Sequence, residues 1–185
     1  MQIVERKNRS IVIDGIVDNE VRSRNFGGEE RRDRNNPNRV VNGAGKRNFL
    51  LYISDEIAEE LSARGCEVKF TTPREPNDVP RPYVSITVSY FLKPVEAYMI
   101  SNGNPTVLDE NSIYHFNSAD IQNMCLELEF GKEKQHLNGT TYTPIYAQKL
   151  WVEVVPSYIA SKFGHFMQPT VAAPGVPPVD DTPFT

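Results

Sequence analysis

The chain has 185 residues and a formal net charge of −4, with 39% hydrophobic, 10% aromatic and 24% charged residues. That is apolar material enough for one folded domain, and too ordinary a charge fraction for a disordered polyampholyte. Slight overall acidity excludes a uniformly basic coat but not a local basic groove, because nearby charges set the field that steers a polyanion.

In chain order, residues 10–17 read as a first strand, with Gly15 as a candidate bulge. Apolar residues then nearly vanish over 18–45, a stretch too polar for core and too long for a tight turn, so it is expected to be a functional loop or arm. Residues 47–53 resume as a strand with Phe49, Leu51 and Ile53 on one face. Ser54 is placed to cap a helix that opens on Asp55 and Glu56, carries Ile57, Ala58 and Leu61 as its apolar stripe, and ends at Gly65.

Alternation returns at 66–70, and the four prolines of 71–82 mark a loop. Residues 83–90 form the cleanest strand, with Val84, Ile86, Val88 and Tyr90 alternating with polar positions. Shorter strands follow at 96–101 and 124–130. A turn and a helical turn or two are expected over 108–123, with Ser118 a candidate cap, and Asn138-Gly139 signals a hairpin. The last strand, 143–155, is read with Tyr146, Leu150, Val152 and Val154 on one face and Ala147, Lys149, Trp151 and Glu153 on the other. From residue 167 the chain turns Pro-rich and ends acidic, as an extended linker would. Without regular strand–helix alternation, the expected fold is mainly β: an OB-like antiparallel barrel with one inserted helix. The expected domains are 1–166, including a basic arm at 18–45, and a flexible tail at 167–185.

No catalytic or metal constellation emerges. His115, His136 and His165 lack metal-site spacing. Gly43-Ala44-Gly45-Lys46 departs from a phosphate loop, because Arg47 stands at the hydroxyl position and a strand follows where a helix is needed. Asp109 and Glu110 precede a short polar turn and read as caps rather than, with Asp120, as metal carboxylates. Cys66 and Cys125 fit neither a disulfide framework nor a metal knuckle and are expected to be reduced. The expectation is a binding protein, neither an enzyme nor dependent on a cofactor. No signal-peptide core and no membrane span are apparent, so a cytoplasmic location is expected.

The charge is unevenly spread. From Arg22 to Arg47 there are eight basic residues against three acidic ones. Basic side chains suit phosphates, and aromatic faces suit unpaired bases. Candidate charges are Arg22, Arg24, Arg31, Arg32, Arg34, Lys46, Arg47, Lys69, Arg74 and Lys149; candidate faces are Phe26, Tyr83, Tyr98 and Trp151. Phe26 has no periodic apolar neighbours and is expected to stay out of the core.

Several motifs occur in a recognisable order: Arg24-Asn25-Phe26-Gly27-Gly28, Gly45-Lys46-Arg47-Asn48-Phe49, and Leu61 followed by Gly65-Cys66-Glu67-Val68-Lys69. Pro73-Arg74-Glu75, Arg81-Pro82-Tyr83-Val84 and Lys149-Leu150-Trp151-Val152 continue the series. Over about residues 10–155 the chain resembles bacteriophage single-stranded DNA-binding proteins. The resemblance implies an OB-type barrel and a role in phage DNA replication, recombination or repair, inside an infected bacterial host. The tail separately resembles the acidic peptides of bacterial single-strand binding proteins: Asp180, Asp181, Pro183 and Phe184 match, although Thr185 follows the Phe. The expected partners are single-stranded DNA and, through this tail, replication or recombination proteins, with homo-oligomer formation left open and no membrane. The rival reading is a phage protein–protein adaptor or virion component that uses the same arm and tail.

Overall fold

The computed structural model describes residues 1–156 apart from Arg74, Pro76 and Leu92. Met1–Val155 form one compact unit. The expected boundary at 166/167 and the tail residues Asp180, Asp181, Pro183 and Phe184 lie outside the described residues.

The strands in chain order are β1 (Gln2–Arg6), β2 (Ser10–Ile16), β3 (Val21–Asn25), β4 (Arg31–Arg32), β5 (Val40–Asn42), β6 (Arg47–Tyr52), β7 (Lys69–Phe70), β8 (Pro82–Val88), β9 (Glu96–Ser101), β10 (Asn104–Leu108), β11 (Ile121–Phe130), β12 (Lys134–Gln135), β13 (Thr141–Tyr142) and β14 (Ile145–Val154). The α-helix, α1 (Asp55–Ala63), lies between β6 and β7, and single 3-10 turns occupy Asp18–Glu20 and Ile113–Asn117. The fold is therefore mainly β with one α-helix among the described residues, as the sequence implies.

The main sheet runs β1-β2-β11-β14-β8-β6-β3, with β9 against β14, β10 against β9 and β7 against β8. It is mixed rather than wholly antiparallel, because β14 runs parallel to both β8 and β9. No pairing among the described residues joins β1 to β3, so the strand path is open rather than a closed barrel. Two small hairpins, β4–β5 and β12–β13, stand apart from the main sheet.

Alternation drives burial. Val84, Ile86 and Val88 of β8, Phe49 and Leu51 of β6, and Met124, Leu126, Leu128 and Phe130 of β11 all enter one core, leaving Tyr83, Ser85, Thr87, Asn48, Leu50 and Tyr52 on the opposite face. Helix α1 adds Ile57, Ala58 and Leu61. Ser54 caps it, its Oγ accepting from Ile57 N at 3.4 Å. Gly65 ends it at φ +76°, a left-handed conformation that costs a glycine little, and Cys66 N closes the turn on Leu61 O at 3.0 Å.

Three expectations are corrected. Residues 18–45 are not one open arm: β3 joins the main sheet and β4–β5 fold into a hairpin. The strand expected over 66–70 shortens to Lys69–Phe70, with Cys66 only bridging Thr143. The candidate cap Ser118 does close a helical turn, the 3-10 segment Ile113–Asn117, at its C-terminal end. In β14 the register shifts opposite Glu127 and Leu128, so one extra residue, Gln148, reverses the alternation. Ala147 is therefore buried with Leu150, while Tyr146 shares the outward face with Lys149 and Trp151.

Candidate nucleic-acid interface

The outward face of β6 and β8 forms the base of the site. The antiparallel register sets Asn48 beside Thr87, Leu50 beside Ser85 and Tyr52 beside Tyr83. This strip runs from one cleft into another.

The first cleft has a volume of about 760 Å3. Asn48, Ser85 and Thr87 contribute its sheet face, extended by Tyr146 of β14, which lies opposite Thr87. The root of the arm contributes Lys46 and Arg47, β7 contributes Lys69, and the β12–β13 hairpin contributes Lys134, His136 and Tyr142. Tyr90 and Phe91 complete the aromatic lining, and Phe91 is 79% exposed. Four cations thus converge with four aromatic rings, against two carboxylates, Glu67 and Glu110.

These charges differ in availability. Lys69 Nζ lies 3.1 Å from Glu67, and Arg47 Nη2 lies 3.0 Å from Glu110. The Arg47 guanidinium also sits 5.6 Å from the centre of the Tyr90 ring. Burial pushes the Tyr90 hydroxyl up to about 12, against the lowering effect of Arg47. Lys134 Nζ donates to Tyr146 Oη at 3.2 Å, which raises the lysine pKa and holds its charge over the cleft. Lys46 is exposed and has no ion pair among the described residues.

The second cleft, about 690 Å3, continues the strip past Leu50 to Tyr52 and Tyr83, whose rings meet edge to face at 6.0 Å. Phe70 and Val79 stand exposed on its rim, and the Arg81 guanidinium lies 4.8 Å from the centre of the Tyr52 ring. Paired aromatics beside cations are the elements a single strand needs.

The arm is more self-neutralised than its composition suggests. Arg32 pairs with Glu30 at 2.7 Å and Arg39 with Asp33 at 3.6 Å. Arg31 donates to the carbonyls of Ser23 and Arg24. Arg22 and Arg34 are exposed and form no side-chain bond among the described residues. At the arm's root Gly28 takes φ +74°, and a Cβ there would meet the Gly45 backbone at 3.2 Å.

Two candidate residues turn inward. Arg24 is 11% exposed and bonds Asp18 at 2.5 Å and Ala119 O at 2.6 Å, tying β3 to the segment before β11. Phe26, expected outside the core, is 1% exposed, stacked on Phe49 at 5.1 Å and edge-on to Phe116 at 5.4 Å. It reaches the core because Phe26 N donates to Asn117 Oδ1 at 2.7 Å, which docks the turn after β3 on the 3-10 segment. It has no open face for a base.

Tyr98 and Trp151 form a separate patch, stacked at 6.3 Å and 9°. Trp151 is half-buried and faces outward, with Cys125 opposite it. Lys149 nearby pairs with Glu96 at 3.1 Å, which raises the lysine pKa. Glu127 and Glu153 add negative charge to that side. Arg74 lies outside the described residues.

Residues 2–151 match the family model described as "Putative phage ssDNA-binding domain". The chain belongs to this family. No curated protein and no solved structure matches it significantly.

The strip along β6 and β8, with its two clefts, brings basic and aromatic side chains together. Sequence reasoning overlooked Tyr90, Phe91, Lys134, Tyr142 and Tyr146 in it. The Asn138-Gly139 turn was the available signal, because it fixes a hairpin whose two strands bring Lys134 and Tyr142 together.

Proposed function

We propose that the chain binds single-stranded DNA with little sequence preference along the outward face of β6 and β8. The strand would stack bases on Tyr52, Tyr83 and Phe70 in the smaller cleft and on Phe91, Tyr142 and Tyr146 in the larger one. Lys46, Arg47, Lys69 and Lys134 hold its phosphates. The observation that carries this reading is the convergence of four cations and four aromatic rings in one cleft that continues, in strand register, to a second aromatic pair. Aromatic faces accept any base, and each stacked base contributes on the order of 1–3 kcal/mol.

Arg22, Arg31, Arg32 and Arg34 act from the arm as a positive field that guides the strand towards Lys46. Tyr98, Lys149 and Trp151 form a weaker second platform, because carboxylates surround them. Competition between poly-dT and a matched duplex at two salt concentrations tests the assignment. It requires preference for the single strand and a steep loss of affinity with salt. Equal affinity for both substrates would refute it.

The biological setting that fits is phage DNA replication, recombination or repair in the cytoplasm of an infected host. The acidic tail, through Asp180, Asp181, Pro183 and Phe184, recruits protein partners: the carboxylates suit a basic-rimmed pocket and Phe184 fills it. Removing residues 176–185 should abolish capture of replication or repair proteins and leave DNA affinity equal or higher. Retained capture would refute the tail's role.

A further inference from the structure

The β12–β13 hairpin ends in a leucine that the core does not use. Leu137 has a relative exposure of 110%, the highest among the large apolar side chains of the described residues. An exposed leucine is unremarkable by itself. Two features set this one apart.

The first is rigidity. His136 N donates to Thr140 O at 2.8 Å, Gly139 N to His136 O at 3.0 Å, and Gln135 Nε2 to Gly139 O at 3.0 Å. Asn138 Oδ1 accepts from both the N and the Oγ1 of Thr140, at 3.1 and 2.8 Å. The tip is therefore fastened on every side of Leu137.

The second is position. The hairpin's base lines the larger cleft through Lys134, His136 and Tyr142. The His136 and Tyr142 rings stack at 4.2 Å and 20°, and Thr143 N roots the returning strand on Gly65 O at 2.8 Å. A strand lying in the cleft would run against this hairpin, with an apolar point standing clear of the surface.

Resting on the single-strand reading above, we propose that the hairpin is an unstacking wedge. Where the bound single strand continues into duplex, Leu137 presses against the first base pair and parts it. Apolar side chains inserted at a base step offset the cost of unstacking by new contact. A tip held in place by hydrogen bonds loses little freedom when it inserts. Lys134 holds the phosphate on the single-stranded side, and a leucine reads no sequence.

The test uses the full chain and a forked duplex with an oligo-dT arm and 2-aminopurine in the first base pair. With the arm saturated, fluorescence should rise towards the single-strand value. Leu137→Asp should lose more than about half of that rise while binding oligo-dT within about twofold of the unaltered chain, and Leu137→Phe should keep the rise. An undiminished rise with Leu137→Asp overturns the wedge. So does a fall in oligo-dT affinity that accounts for the whole effect, which would make the tip an ordinary contact. If the unaltered chain binds oligo-dT without any rise, the wedge alone fails; if it does not bind oligo-dT, the single-strand reading fails first.

Discussion

Arg47 enters the larger cleft already held by Glu110, with Nη2 3.0 Å from the carboxylate and the guanidinium over the Tyr90 ring. The Arg47 side chain is only 15% exposed, whereas Glu110 is half exposed. A phosphate approaching Arg47 thus meets a carboxylate already in place. Glu110→Gln removes this competitor. Affinity for oligo-dT should rise severalfold, and the salt slope should steepen by up to about 0.7, the value of one further phosphate contact on a single strand. Titrations over a series of salt concentrations measure both quantities.

In the proposed binding mode Tyr83 acts through stacking rather than charge. Tyr83→Ala should weaken oligo-dT binding by about 1–3 kcal/mol and leave the salt slope unchanged. A changed slope with little loss of affinity would mean that the ring is not a base platform. Equilibrium titration at three salt concentrations separates the two outcomes.

Phe26 should behave as a core residue. Phe26→Ala opens a void between Phe49 and Phe116 and should cost about 3–5 kcal/mol of stability. DNA affinity of the fraction that remains folded should change little. Denaturant unfolding, combined with titration well below the midpoint, distinguishes this from a direct role in binding.

Much of this was open to sequence reasoning. Alternation alone located β8, and the Ser54 and Gly65 signals bracketed α1. Phe26 misled because its burial comes from Phe116 and Asn117, ninety or more positions away, and not from local periodicity. The inserted Gln148 reversed the faces of β14 in a way that no period-2 reading anticipates. The arm's net charge overstated its free cations, because Glu30 and Asp33 fold back on Arg32 and Arg39. The larger cleft was hidden because Lys134 and Tyr142 reach Lys69 and Arg47 only through long-range pairing, in which Cys66 bridges Thr143.

Asp18 gives the fold a pH dependence. The hydrogen bond from Arg24, chiefly, holds its carboxyl below the ordinary value of 3.8. On unfolding, that carboxyl returns to its ordinary value. Its contribution to stability is therefore complete above that value and is lost as the pH falls through the lower, folded value. Asp18→Asn should lower stability at neutral pH and flatten the acid loss below about pH 4. Unfolding midpoints measured from pH 7 to pH 2 provide the check.

The central claim is that a single strand lies along β6 and β8. Photocrosslinking an oligo-dT substituted with 5-iododeoxyuridine, followed by mass spectrometry of the adducts, locates the strand directly, because the base attaches to aromatic rings it touches. The predicted adducts fall on Tyr52, Tyr83, Phe91, Tyr142 and Tyr146. Adducts confined to Tyr98 and Trp151, with none in the two clefts, would contradict the account.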